Sequence, residues 1–307
     1  MRIGKKSAAT IIGSCIFFYT AFTQPKAFVF VSDTQAPLGI ETILQKRHFN
    51  EEATKLIFKE ILLQKPETVF ILGDVVSLGY TEKKWKKIDE VLDTLRKKGI
   101  KVKAILGNHD IMIKPKKGEA QFQKRFPDEK NTGYYSITDS IGVILLNSNF
   151  GMLSPDQIKQ QQAFYEETIR KMDADPGILQ VIVTCHHPPF SNSKKAGSDK
   201  EVEERFLPEY YRSAKAGLFI TGHAHVFQHF IVNNKNFLTL GGGGGLHHAV
   251  KKGRTEIKNF SESYNPEFHY LFVQRTGNGL NLVSRKLNDD FTGFETGYTF
   301  TLLPLKQ

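Results

Sequence analysis

The chain has 307 residues, 40% of them apolar and 24% charged, which is ordinary for a soluble globular protein and enough for one large domain or two modest ones. Its two cysteines, Cys15 and Cys185, exclude a disulfide framework within a processed chain and any CxxC site. The net charge of +10 favours anionic partners, but the lysines are dispersed in short groups such as Lys83–Lys84 and Lys86–Lys87 around Trp85, the pattern of solvated helix faces.

The N-terminus opens with a basic segment, Arg2 to Lys6, followed by a largely apolar, uncharged run from Ala8 to Phe22. That is the pattern of a secretory signal or an uncleaved anchor, and it predicts an exported protein, periplasmic or secreted, with membrane attachment only through this segment. Ile12-Gly13-Ser14-Cys15 is similar to a bacterial lipoprotein box, whereas a cut after Ala21 would place Tyr19 at the −3 position. Residues 1–24 are therefore assigned to the leader and 25–307 to one domain.

A strand is expected at Phe28–Val31, ending at Ser32-Asp33-Thr34-Gln35. Asn50 is placed to cap a helix running to about Gln64, with Leu56, Ile57 and Ile61 on one face, and Pro66 breaks it. Val69–Leu72 reads as a buried strand ending at Gly73-Asp74, and Glu82–Lys98 as an amphipathic helix with Trp85, Ile88, Leu92 and Leu95 inward. Val102–Leu106 is a third strand, ending at Gly107-Asn108-His109-Asp110. Three strand–helix units thus deliver polar clusters just past strand carboxyl ends, where open α/β sheets place their ligands.

Strands are then expected at Tyr134–Thr138 and Val143–Asn147. Ser154-Pro155-Asp156-Gln157 carries a capping box with proline at the first helical position. Val181–Thr184 and Leu218–Ile220 are short apolar strands, each followed by histidines. Phe237–Leu240, His269–Val273, Leu280–Leu287 and Gly297–Leu303 complete the strands, with a hairpin turn at Gly277-Asn278-Gly279. The glycine run Gly241–Gly245 signals either close backbone approach or flexibility.

Five clusters follow apolar strands: Asp33-x-Gln35, Gly73-Asp74, Gly107-Asn108-His109-Asp110, His186-His187-Pro188 and Gly222-His223-Ala224-His225. Their carboxylate, amide and imidazole donors suit Mn, Fe or Zn rather than Cu(I) or a sulfur cluster. Two such ions a few ångströms apart can clamp an in-line displacement at phosphorus, and a shared carboxylate offsets their repulsion. The x-spacing in Asp33-x-Gln35 and His223-x-His225 suggests a strand end aiming two side chains to one side. Singly each cluster has a bland reading as a turn or a core histidine; five together, in this order on strand ends, do not.

The order SDTQ, LGDV, LGNHD, CHHPP, TGHAH resembles the calcineurin-like metallophosphoesterase superfamily, whose pattern is D-x-H, GD, GNHD or GNHE, a His before a proline-containing turn, and GHxH. The likeness runs from Phe28 onward, and Asn147–Gln157 is similar to the purple-acid-phosphatase-like and cyclic-nucleotide-phosphodiesterase-like branches. It implies a four-layer α/β sandwich of two mixed sheets with helices outside. It implies two divalent or trivalent metal ions: Asp33, Gln35 and His225 on the first, Asn108, His186 and His223 on the second, Asp74 bridging. His109 would face the substrate phosphate and protonate or stabilise the leaving oxygen, and Asp110 would orient its imidazole. Two departures stand out: Gln35 replaces the usual His, and Ser77 stands where purple acid phosphatases have tyrosine, so the coloured Fe(III)–tyrosinate form is not supported.

The expected activity is hydrolysis of a small phosphomonoester or phosphodiester by a metal-activated water. The alternatives are a cyclic-nucleotide or nucleotide phosphodiesterase, and a catalytically weak binding protein on the same fold. Nucleic acid is suggested only by charge. His187 reads as a supporting or exposed residue, His247 and His248 as loop residues with lining of the substrate pocket as the alternative, His48, His229 and His269 as structural, and Cys185 as a small buried side chain.

Overall fold

A computed structural model describes residues 26–38, 49–251 and 257–305. The leader with Cys15, and His48, lie outside the described residues. Twelve strands among them form two six-stranded mixed sheets that pack face to face with helices on the outside, the four-layer arrangement expected. No described helix is long and apolar enough to cross a membrane.

The first sheet has the order β12-β11-β10-β1-β2-β3. Strands β1 (Ala27–Val31), β2 (Thr68–Ile71) and β3 (Lys101–Ala104) are parallel, with helices α1 (Asn50–Gln64) and α2 (Glu82–Lys97) as their crossovers. β10 (His269–Thr276), β11 (Gly279–Leu287) and β12 (Phe294–Leu302) add antiparallel partners on the other side of β1. The second sheet, β4-β5-β6-β7-β9-β8, has a parallel centre of β5 (Ile141–Leu145), β6 (Gln180–Thr184), β7 (Ala216–Thr221) and β9 (Lys235–Leu240). β4 (Tyr134–Thr138) and β8 (Phe227–Val232) are its antiparallel edges.

The central strands β1, β2, β5, β6 and β7 are buried on both faces, as sheets covered on two sides require, whereas β3, β4 and β12 are partly exposed. On β1, Phe28 and Phe30 enter the layer between the sheets with Phe70, Ile182 and Leu218, while Val29 and Val31 pack under Ile57, Ile61, Trp85 and Leu92 of α1 and α2. The outer face of the second sheet, through Ile144, Val183 and Phe219, meets Tyr165 of α5 (Pro155–Ala174) and Phe206 and Tyr210 of α6 (Lys200–Arg212). Each fully buried side chain of this kind stabilises by roughly 1.5–3 kcal/mol.

The capping box is made: Gln157 N–H donates to Ser154 Oγ at 3.2 Å, and Ser154 N–H to Gln157 Oε1 at 2.9 Å. Asn50 behaves otherwise than expected. It is the first residue of α1 rather than its cap, and its amide donates to the Gly244 carbonyl at 2.5 Å, tying the helix start to the glycine run. Two short helices follow β3, α3 (Asn108–Ile111) and α4 (Pro115–Arg125), and α4 packs so closely that a Cβ on Gly118 would lie 2.2 Å from the Asp110 carbonyl.

Candidate metal centre

The strands stop short of the donors. β1 ends at Val31 and β7 at Thr221, and Asp33, Asp74 and His223 each adopt left-handed backbone, with φ of 58°, 50° and 63°. The two x-spaced pairs are therefore aimed by a one-residue kink, not by the strand alternation expected. Asp and His tolerate this conformation better than most other non-glycine residues. The loops come close enough to require glycine. A Cβ on Gly107 would lie 2.2 Å from Asp74 Oδ1, and one on Gly222 1.9 Å from Ser32 Oγ.

The kinks bring all seven predicted donors together. His225 Nε2 lies 3.3 Å from Asp33 Oδ1, and His186 Nε2 lies 3.2 Å from Asn108 Oδ1 and 3.3 Å from Asp74 Oδ2. One ligand atom each of Asp33, Asp74 and His186 falls within 4.8 Å of the others, as do ring nitrogens of His186, His187 and His223. Gln35 is buried among them. With its nitrogen inward it reaches Asp74 Oδ2 and His225 Nε2, both at 3.4 Å. Turned over, the nitrogen donates to the main-chain oxygens of Asp33 (3.2 Å) and Asp74 (2.8 Å) and the oxygen faces the cluster. The second orientation gives the amide nitrogen two acceptors and turns the oxygen into the cluster, where a metal ligand would stand.

Main-chain partners fix the imidazoles. His186 Nδ1 sits 2.8 Å from the Leu72 carbonyl and His225 Nδ1 2.7 Å from that of Leu246. In the neutral, metal-binding form both Nδ1 atoms donate and Nε2 of each is a lone pair aimed inward, the arrangement that orients metal-binding histidines. His225 Nε2 and Asp33 Oδ1 then face each other as two acceptors, and Asp33 Oδ1 is a buried atom without a hydrogen bond. Burial alone would raise the Asp74 carboxyl, yet His186, His109 and His223 hold it well below the usual range. Burial would lower His186, but the Asp74 charge raises it to about 9. The cluster asks for a cation, and in the protein alone a proton on His186 supplies one. These oxygen and nitrogen donors, short of protons and turned toward one another, fit two metal ions.

The role expected for Asp110 is corrected. Its carboxylate does not reach the His109 ring. Oδ1 accepts from the Val75 and Val76 N–H groups at 3.0 and 3.1 Å, and Oδ2 from Gly107 N–H at 2.9 Å. Burial and the Asp74 charge push it up to about 8 against those donors. Asp110 is thus a staple between the loops that carry Asp74 and Asn108. His109 is half-buried; its N–H donates to Asp74 Oδ1 at 2.7 Å, and its Nδ1 faces the Ser77 carbonyl at 3.3 Å.

Two further histidines, left outside the expected donor set, stand at the site. His187 stands with its ring 4.5 Å from His223 and its Nδ1 2.8 Å from Ser148 Oγ; burial and the His186 charge lower it to about 3. His248 lies parallel on His225, ring centres 4.3 Å apart, and burial with the His225 and Lys195 charges lowers it to about 2. The doubled His186-His187 was the one available signal for the first. Nothing in the sequence pairs 248 with 225.

Two sheets, helices outside and a His/Asp/Asn cluster at the strand ends define a metallophosphoesterase-type molecule. The sequence matches the family model of the calcineurin-like phosphoesterases over residues 26–227, and the chain belongs to that family, whose members use dinuclear metal centres. Among solved structures it is similar to the purple acid phosphatase PPD1 from yellow lupin, Lupinus luteus (TM-score 0.69, 15% identity, 90% of this chain and 53% of that one). It is also similar to GAP50, the anchor in the inner membrane complex of Plasmodium (0.68, 14%, 92% and 90%). A third likeness is to a dimetal phosphatase from Danio rerio (0.58, 14%, 92% and 100%). The chain spans about half the length of the lupin phosphatase, and at these identities the likeness is one of fold. No curated protein sequence matches it.

Proposed function

We propose that the protein hydrolyses small phosphomonoesters or phosphodiesters at a dinuclear metal centre. Asp33, Gln35 and His225 would hold one ion and Asn108, His186 and His223 the other, with the Asp74 carboxylate between the two sets. The observation that carries this reading is the meeting of acceptor atoms at 3.2–3.4 Å around Asp74 and Asp33. Fe, Mn or Zn suits such donors, and a pair of such ions supplies Lewis acidity and an acidified water. The chain's own groups do the rest. Leu72 and Leu246 carbonyls keep the ligand imidazoles in one tautomer and plane. His109 donates through Nδ1 to the Ser77 carbonyl, so the proton for the leaving oxygen is the second one, carried on Nε2 of the imidazolium. The basic and apolar leader supports export to the periplasm or the cell exterior.

GAP50 is described as an anchor, so a binding role on this fold is the rival. Retention of Asp74, Asn108, His186, His223, His225 and His109 supports the enzyme.

A panel of phosphomonoesters and phosphodiesters, assayed with Mn, Zn, Fe and Ni, tests the reading with two variants. Asp74→Ala should lose bound metal, by elemental analysis, and turnover together. His109→Ala should keep its metal and lose about 10²–10⁴-fold in kcat, the span of general acid–base catalysis. Full activity of His109→Ala on every substrate would remove the role given to it, and no turnover with any metal would remove the hydrolase reading.

A further inference from the structure

His248 has a hydrogen-bonding arrangement that support of a neighbour alone does not require. Its main-chain N–H donates to the His225 carbonyl at 3.0 Å, and the His225 N–H donates to His248 Nδ1 at 3.2 Å. A second donor reaches the same nitrogen. Ser193 Oγ lies 3.3 Å from it and already accepts the N–H groups of Lys195 and Ala196, both at 3.2 Å, so the hydroxyl proton points to the ring. With two donors on Nδ1, the proton of the neutral imidazole must be on Nε2. That Nε2–H has no protein partner among the described residues and is not a buried orphan.

Ser193 belongs to a loop that pairs with the segment carrying His248. Ser193 and Val250 form a β-bridge, Lys194 N–H donates to the Ala249 carbonyl at 2.8 Å, and Lys251 N–H to Asn192 at 2.9 Å. Buried serines stiffen the turn: Ser191 Oγ donates to the Ala196 carbonyl at 2.7 Å and accepts Ser193 N–H at 3.1 Å. This two-stranded ribbon stands against His225 and exposes three cations, Lys194, Lys195 and Lys251. Lys195 is tied to His248 through Ser193, whose Oγ accepts the Lys195 N–H at 3.2 Å and faces His248 Nδ1 at 3.3 Å. A fixed N–H donor in a ribbon that also carries exposed lysines is a receptor for an anion.

We propose that this ribbon is the specificity wall of the site, and that His248 Nε2–H and Lys195 bind a second anionic group of the substrate, next to the phosphoryl group held at the centre. The inference rests on the dinuclear reading of that centre. It directs the protein toward phosphoesters or anhydrides that carry another phosphate or carboxylate, and away from simple neutral-tailed monoesters.

Calorimetric titration of the Mn-loaded protein with inorganic phosphate and with adenosine α,β-methylene diphosphate tests it without turnover. The wild type should bind the diphosphate more tightly than phosphate. In Lys195→Met, and in His248→Asn, whose amide oxygen can still accept the His225 N–H, the ratio of the two affinities should fall at least ten-fold at unchanged metal content. A wild type without preference for the diphosphate overturns the proposal. So does an unchanged ratio in both variants, or a fall that appears only together with metal loss, which would leave His248 as a prop for His225. Failure to hydrolyse any ester, with the ratio behaving as stated, would remove the hydrolase reading and leave the wall standing.

Discussion

Asp110 and Glu129 are both buried carboxyls, and burial pushes both upward, yet their surroundings differ. Asp110 collects three main-chain N–H groups. Glu129 has the Gln123 amide at 3.2 Å and the repulsion of Glu119, and it is raised from 4.5 to about 7. A carboxyl whose folded pKa lies above its unfolded value keeps its proton longer in the fold, so stability falls as pH rises from about 4.5 through about 7. Glu129→Gln removes that term. At pH 8 the variant should exceed the wild type by on the order of 2–3 kcal/mol, and at pH 4 the two should converge. Denaturant melts across this range measure it; parallel curves at all pH values would show that Glu129 titrates normally. At this scale the sequence was legible where chemistry and position coincide: each of the seven donors follows an apolar run. It was silent on direction. His109 and Asp110 are neighbours on a helical turn, and neighbours on a helix do not face each other. Two of the three partners of Asp110 lie 34 and 35 positions back on the loop after β2, beyond any local pattern; only Gly107, three residues back, is local.

Among the elements, the glycine run shows best what a segment's composition is for. None of Gly241–Gly245 has a positive φ, so flexibility of angle is not its purpose. Added Cβ atoms would lie 2.3 Å from the Ala224 carbonyl at 241, 2.1 Å from His269 at 242, 2.3 Å from the Ser32 carbonyl at 243, 2.1 Å from Thr54 at 244 and 2.3 Å from the His225 ring at 245. The run threads between the two sheets' loops, and of the two readings its composition allowed, close approach is correct. Gly245→Ala should overpack His225 at a cost of about 1–3 kcal/mol and weaken metal retention against a chelator, whereas Gly151→Ala, which meets open space, should do neither. Equal metal retention in the two variants would show that the His225 ring moves aside freely. The other elements were legible where period and punctuation agree, as in α2 and the α5 capping box. α6 hid behind its internal Pro208. β8 hid behind Gln228 and His229, polar residues buried because Asn192, Ser191, Asn236 and Tyr298 bond them.

For the whole molecule, the division of donors matters. Asp33, Gln35, Asp74 and Asn108 come from loops of the first sheet, and His186, His223 and His225 from loops of the second. Metal bound across that seam stabilises the folded state by RT ln(1 + [L]/Kd), about 4 kcal/mol at a thousand-fold excess over Kd. Removing metal with a chelator should therefore lower Tm by several degrees in the wild type and leave Asp74→Ala unmoved. A chelator shift of equal size in Asp74→Ala would place the stabilising metal elsewhere. The two-sheet architecture was legible because parallel strands with helical crossovers announce themselves in sequence. Which loops meet across the seam was not, because that depends on how the sheets stack.

The left-handed kinks at Asp33, Asp74 and His223 bear on how such a site can change over generations. A strand donates side chains by parity, so a ligand lost at one position can be replaced two residues away. A kink has no parity: it exposes one residue, and the neighbours on either side point elsewhere. Glycine would relieve the backbone at each of these three positions, but it carries no donor. Drift toward a more relaxed chain and retention of the centre therefore pull in opposite directions there, so these three positions are poor places to seek stabilising substitutions and good places to recognise a relative that has given up its chemistry.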